Sequence, residues 1–251
     1  MIMAKVPADA FYTLLHKTAN MLSIIIPTLN EEKYLPKLLE SLKSQSFKDY
    51  ELIVADFNSK DRTRSIAKKY GCVIVDGGMP SAARNNGAKK AKGSFLFFID
   101  ADCTIGSSFL EKALDEIKKR NLDAAGCYSR PLSSNVFDKI ILSMFNVWVC
   151  ITQLFYPNAS FGFFCRRSLH EKIKGFDENI RLSEDMDYAR RAGKSGKFRI
   201  LNTVKICASA RRFDEEGRLR LLLKLFLSGL YRIFFGEIKS DMFKYRFGHG
   251  K

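Results

Sequence analysis

From Met21 onward the chain alternates short apolar runs with longer mixed segments. The runs cover 22–27 (LSIIIP), 50–56 (YELIVAD), 72–76 (CVIVD) and 94–100 (SFLFFID). β-branched and aromatic runs spaced this way, with helical patterns between them, predict βαβ units in a mainly parallel sheet. Within 31–45, Tyr34, Leu35, Leu38, Leu39 and Leu42 fall on one helical face, with Glu31 and Glu32 expected at the positive end of the helix dipole. Gly71 stands where the next helix should be capped. Further on, the pattern predicts a helix near 107–120, a strand at 123–129 and an apolar helix over 137–156. In that last segment Ile140, Ile141, Met144, Phe145, Trp148 and Phe155 keep near-helical spacing, but Ser143, Asn146, Thr152 and Gln153 interrupt it. A bilayer crossing needs about 20 apolar residues, so a buried or membrane-surface helix is expected instead of a span.

In open α/β sheets ligands bind beyond the carboxyl ends of the strands. That rule gathers Thr28, Asn30 and Glu31, then Asp56 and Ser59, then Gly77 and Gly78, then Asp100 and Asp102, along one edge. Asp100 and Asp102 stand at the end of an apolar run, and in extended backbone residues i and i+2 point the same way. Two hard oxygen ligands beside a phosphate site suit Mg²⁺ or Mn²⁺. Otherwise one caps the next helix and the other is solvated. In LSEDMDYARRAG (182–193), Asp187 and Arg191 are spaced for an ion pair. Glu184 and Asp185 occupy the first helical turn, either as partners of the dipole or as a general base for an acceptor hydroxyl. Arg84 falls early in a helix after a glycine-rich turn, where it meets a phosphate or simply adds to a basic face; no GxxxxGK[ST] loop is present.

Composition narrows the partners. At 251 residues and 46% hydrophobic, the chain suffices for one large domain, and a net charge of +15 favours an anionic partner. Six scattered cysteines without a CxxC pair, and three histidines, argue against a zinc site or disulfide framework and point to a reducing cytoplasm. Residues 1–20 lack the continuous apolar core of a signal peptide and are expected to be an extension. Over 214–235, Leu219, Leu222, Leu223, Phe226, Leu230, Ile233 and Phe234 gather on one helical face, opposite Arg220, Lys224, Ser228 and Tyr231, with Leu221, Leu225 and Phe235 on the flanks. Such a basic amphipathic helix suits an anionic membrane interface at the cytoplasmic face, or packs on the domain or a partner subunit. No nucleic-acid-binding motif is present and no nucleic-acid partner is expected.

Taken in order, IIIPTLNEE, ELIVADFNSKDRT, SAARNNGAKKAKGSFLFFIDADC, FGFFCRRSLHEKIKGFDE and LSEDMDYARRAG resemble the family 2 glycosyltransferases over about residues 21–212. The resemblance implies an α/β fold of GT-A type, a Rossmann-like, mixed but mainly parallel sheet flanked by helices. It divides the chain into the 1–20 extension, a catalytic domain over 21–212 and a basic amphipathic segment over 213–251. It also implies a nucleotide-sugar donor and inversion at the anomeric carbon. By that similarity Pro27, Thr28, Asn30 and Glu31 line the nucleoside pocket, Asp56 meets the base, and Arg84 lies near the nucleotide. Asp100 and Asp102 then hold a divalent ion, Mg²⁺ or Mn²⁺, on the donor diphosphate, and Asp185 is the general base with Glu184 beside it.

The chain departs from the family where Asp56-Phe57-Asn58-Ser59 replaces the frequent Asp-Asp-Gly-Ser, losing the second acid. Arg211 and Arg212 stand where relatives place a donor-contacting element, so a phosphate contact is expected from one of them. The acceptor is a sugar or a polyprenyl or other lipid; a hydroxyl requires the base, whereas a polyprenyl phosphate carries its own nucleophile. FFIDADCT also fits the DxDxT signature of haloacid-dehalogenase-like phosphatases, with Asp100 as nucleophile, but three strands precede it here. A non-enzymatic basic module that binds membrane or nucleic acid is the other alternative. A dinucleotide enzyme is excluded, because PTLNEE replaces the glycine fingerprint.

Overall fold

In the computed structural model, which describes residues 21–243 and 247, all seven residues of β1 (Leu22–Thr28) are buried. The extension expected at 1–20 lies outside the described residues. A strand covered on both faces has no solvated side, hence the continuous apolar run. Leu22, Ile24 and Ile26 join a core with Leu35, Leu38, Leu39 and Leu42 of α1 (Leu35–Lys43) and Phe109 and Ile117 of α4 (Phe109–Lys119). Ile25 joins a second core with Ala88 of α3 (Pro80–Lys90) and Tyr188 of α7 (Glu184–Ser195). β4 (Phe95–Ile99) is divided likewise, Phe97 stacking on Phe164 at 4.1 Å on one side and Phe98 meeting Phe163 and Phe176 on the other.

β1 pairs in parallel with β2 (Tyr50–Asp56) and β4, and β2 with β3 (Val73–Asp76), with α2 (Thr63–Lys69) and α3 in the crossovers. Beyond β4 the sheet becomes mixed. β7 (Gly162–Arg166) runs antiparallel to both β4 and β6 (Ala124–Pro131), and β8 (Phe198–Ala208) runs parallel to β6. The eight-stranded order is β3-β2-β1-β4-β7-β6-β8-β5, with β5 (Cys103–Thr104) antiparallel to β8. β5 thus lies four strands from β4 across the sheet, yet only Asp100–Asp102 separate them in sequence. Four strand spacings are about 19 Å, while Ile99 to Cys103 can span at most about 14 Å. The sheet must curl, and the two aspartates sit at the seam where it does.

Three local expectations are corrected. Glu31 and Glu32 precede α1 instead of sitting in its first turn; the Glu31 carbonyl accepts from the Tyr34 and Leu35 amides, and Pro36 occupies the opening of the helix. Asp100–Asp102 form a turn closed by the Cys103 amide on the Asp100 carbonyl (3.2 Å), not a continuation of the strand. The C-terminal helix is broken at Gly217, which takes φ +82° between α8 (Arg211–Glu216) and α9 (Arg218–Phe235).

α9 also packs in the opposite sense from an ordinary surface helix. Leu221, Ser228 and Arg232 face the protein, whereas Leu219, Leu223, Phe226, Leu230 and Phe234 point outward, Leu219 being 82% exposed. α5 (Val136–Thr152) does the same, exposing Ile140, Met144, Val147, Trp148 and Ile151. The two are joined where Arg218 clamps the buried Asp138 carboxylate (2.8 and 3.1 Å). Past α9 the chain returns: Ile238 pairs with Leu182 and accepts from the Arg181 amide at 2.8 Å, while Arg232 grips Glu237 and contacts the Met186 sulfur. α6 (Arg167–Lys172) packs beside α7 through His170, whose Nδ1 is 2.8 Å from the Tyr188 hydroxyl. Among the described residues no helix is long and apolar enough to cross a membrane.

Candidate active site

The curled seam opens into a cavity of about 240 Å³. Five carboxylates line it, Glu31, Asp100, Asp102, Glu184 and Asp185, together with Arg84, Arg211 and Arg212. Two arginines organise the acids. Arg84, carried on α3 just after the Gly77-Gly78 turn, donates to Asp100 Oδ1 at 2.8 Å and to Glu184 Oε1 at 2.6 Å. Burial works against its charge, but Asp100, Glu184 and Asp185 outweigh that and hold the guanidinium protonated. Arg211 reaches Asp102 Oδ2 at 3.1 Å and Glu31 at 3.0–3.2 Å, over the ring of Tyr34. Each aspartate of the turn is therefore tied through an arginine to a carboxylate from another element.

Backbone bonds fix the turn itself. The Asp100 amide donates to the carbonyl of Phe161 (3.0 Å), a residue at φ +59°, and the Asp102 carbonyl accepts from the Ser209 amide (3.1 Å). Opposite, Ser183 takes φ +64° and turns the chain into α7, so that Glu184 and Asp185 open the helix at the cavity. As expected, Asp187 pairs instead with Arg191, at 2.7 Å.

Crowded acids raise one another's proton affinity. Burial pushes Glu31 up to about 7 against the opposing pull of Arg211, and burial likewise raises Asp102. Asp185 is pushed up to about 7 by burial and by the neighbouring Glu184 carboxylate. Five carboxylates against three guanidiniums leave a formal excess of two negative charges, the charge one divalent ion balances. Asp100 and Asp102 are the hard oxygen donors that could hold it. Among the described residues no three acidic, histidine or cysteine side chains cluster as ligands; Mg²⁺ commonly uses one or two carboxylates and completes its shell with phosphate and water.

Not every residue singled out in the sequence faces this cavity. Pro27 and Glu31 line it, and Thr28, Asn30 and Asp56 instead build the wall behind. Asp56 is fully buried and accepts from Thr28 (3.1 Å), from the Ser59 hydroxyl (2.5 Å) and amide (3.1 Å), and from Arg64 (3.1 Å). The Asn30 amide donates to the Ser59 hydroxyl and its side chain accepts from the Lys60 amide. Asn58 takes φ +52°, a left-handed conformation asparagine tolerates better than most residues, so the tight turn survives without glycine. Sequence reasoning missed Tyr34 as the support of Arg211, Phe161 and Ser209 as clamps, and the apolar limb of Ile141, Leu142, Phe145, Phe213, Leu221 and Leu225. Only the apolar limb left a trace, in the two helical patterns that supply most of it.

Fold and site together define an α/β protein of GT-A type, with its acidic turn at the end of the central strand. The chain belongs to glycosyl transferase family 2, whose profile matches residues 23–179. It is 29% identical over 188 residues to the uncharacterized glycosyltransferase EpsJ of Bacillus subtilis, a match covering 67% of this chain and 54% of that protein. A solved structure of S. aureus TarS 1-349 in complex with UDP-GlcNAc superposes with a TM-score of 0.63 at 25% identity, covering 75% of this chain and 58% of that one. The mannosyltransferase PcManGT of Pyrobaculum calidifontis, solved with GDP-Man and Mn²⁺, shares the fold at a TM-score of 0.65 and 18% identity, covering 83% of this chain and 65% of that one. The chain thus spans little more than half the length of EpsJ. Membership in this family sets aside the phosphatase reading.

Proposed function

We propose that the protein is an inverting glycosyltransferase that moves a sugar from a nucleotide-diphosphate donor to a lipid-linked acceptor at a membrane face. The observation that carries this reading is the meeting, in one cavity, of the Asp100–Asp102 turn, Arg84, Arg211 and Arg212, and a carboxylate of raised proton affinity, Asp185. The donor diphosphate would lie over the turn, with Pro27 and Glu31 on the nucleoside side and a guanidinium on its oxygens. Asp56, Thr28 and Asn30 would act through the shape of that wall. A divalent ion on Asp100 and Asp102 would stabilise charge on the departing nucleoside diphosphate.

Asp185 would accept the proton of an acceptor hydroxyl as it attacks from the face opposite the leaving group, which gives inversion. Glu184, held by Arg84, lies beside Asp185 and raises the proton affinity of that carboxylate. The lipid-linked acceptor is favoured over a free sugar because one limb of the cavity is apolar and built from α5, α8 and α9, and because α5 and α9 turn their apolar faces outward. A chain carrying +15 suits an anionic bilayer there. On this reading residues 21–212 form the catalytic unit, and the segment after it carries the membrane-facing helix α9.

The test is a calorimetric titration of UDP, GDP, ADP, CDP and dTDP, with and without Mn²⁺, on the wild type and on Asp100→Ala/Asp102→Ala. One nucleotide should bind in a metal-dependent way, and at least about tenfold more weakly to the double variant. Folded protein that binds none of the five would sink the proposal.

A further inference from the structure

We infer that Arg211 is an exchangeable counter-cation: without donor its guanidinium occupies the charge position of the divalent ion on Asp102, and donor loading transfers it to the diphosphate. The inference rests on the proposed donor site and adds a rule for how that site fills.

The two bridging arginines differ in kind. Arg84 lies within an eleven-residue helix, its side chain 7% exposed, and ties Asp100 to Glu184. Arg211 opens a six-residue helix between the end of β8 and the break at Gly217, and binds Asp102 with Nε while its Nη atoms hold Glu31. One guanidinium thus bridges two carboxylates brought together from different elements, the position a cation between them would take. An ion bound to Asp102 at about 2.1 Å would stand a few ångströms from the guanidinium, since Nε already lies 3.1 Å from the same carboxylate. Like charges that close repel, and in a poorly hydrated cavity the repulsion is weakly screened. A diphosphate arriving with the ion resolves the conflict, because it offers the planar guanidinium a bidentate acceptor in place of the carboxylate. Metal and nucleotide must then bind with positive coupling, each raising the affinity of the other by the same factor.

The test reads Mn²⁺ binding by electron paramagnetic resonance at pH 8 on the whole chain without donor, then with the nucleotide the protein binds. In the wild type, nucleotide should strengthen Mn²⁺ binding at least tenfold. Arg211→Gln should bind Mn²⁺ alone at least tenfold more tightly than the wild type and lose most of that coupling, while Arg211→Lys, which keeps the charge without the fork, should fall between. Mn²⁺ affinity unchanged in a folded Arg211→Gln overturns the inference, even where nucleotide still binds. Absence of nucleotide binding in the wild type overturns the donor site itself. Should neither variant fold, equal Mn²⁺ affinity of the wild type with and without nucleotide is the overturning result.

Discussion

At the scale of single residues, Asp185 carries the sharpest expectation. Its raised proton affinity means the base form populates only as pH climbs through about 7, so kcat/KM for a hydroxyl acceptor should rise over that interval and level above it. Asp185→Asn should lower kcat by about 10²–10⁴ and leave nucleotide affinity within about twofold. Kinetics beside calorimetry check both, and a loss under tenfold would indicate an acceptor with an ionised oxygen of its own. The same raised values have a stability consequence. Asp185 and Glu31 bind protons more tightly folded than unfolded, so their contribution is full below about pH 4 and is lost as pH rises through 7. The paired aspartates and the Glu184-Asp185 step were legible in the sequence because spacing along one short segment places them together. The bridge made by Arg84 was not, since Glu184 lies 100 residues away. Nor was the inward turn of Asp56, which depends on Thr28 and Arg64 rather than on its own motif.

Among the elements, β8 shows what local pattern cannot reveal. Its pairing with β6 shifts register between Cys127 and Tyr128, leaving Asn202, Thr203 and Val204 in a bulge. The buried Glu116 on α4 fills it, accepting from the amides of Asn202 (3.0 Å) and Thr203 (2.9 Å), from the Thr203 hydroxyl (2.6 Å) and from Arg120. Glu116→Ala would strand these donors and should cost about 2–3 kcal/mol in urea unfolding. The βαβ half of the fold was readable because each strand and helix repeats its own period. Of the later strands β6 was read at 123–129, but β7 escaped because it is five residues long and finds its partners in β4 and β6, far away in sequence. In α9 the amphipathic pattern was legible but its orientation was not: periodicity separates two faces without saying which one the protein covers.

For the whole molecule, the outward faces of α5 and α9 convert the proposed membrane contact into a measurable one. Phe226→Glu with Phe234→Glu, both at exposed positions, should reduce co-sedimentation with anionic vesicles at least tenfold and leave the melting temperature unchanged. Equal binding by the variant would remove the membrane from the account. The return of the chain past α9 has a further consequence. The segment 181–186, which presents the candidate base, is pinned by Arg232, Glu237 and Ile238. During synthesis the parallel strands that carry the donor side are complete more than a hundred residues earlier, with β4 ending at Ile99. A nascent chain can thus pair β1 to β4 well before it can hold Asp185 in place, because the grip on that segment comes from residues 232–238.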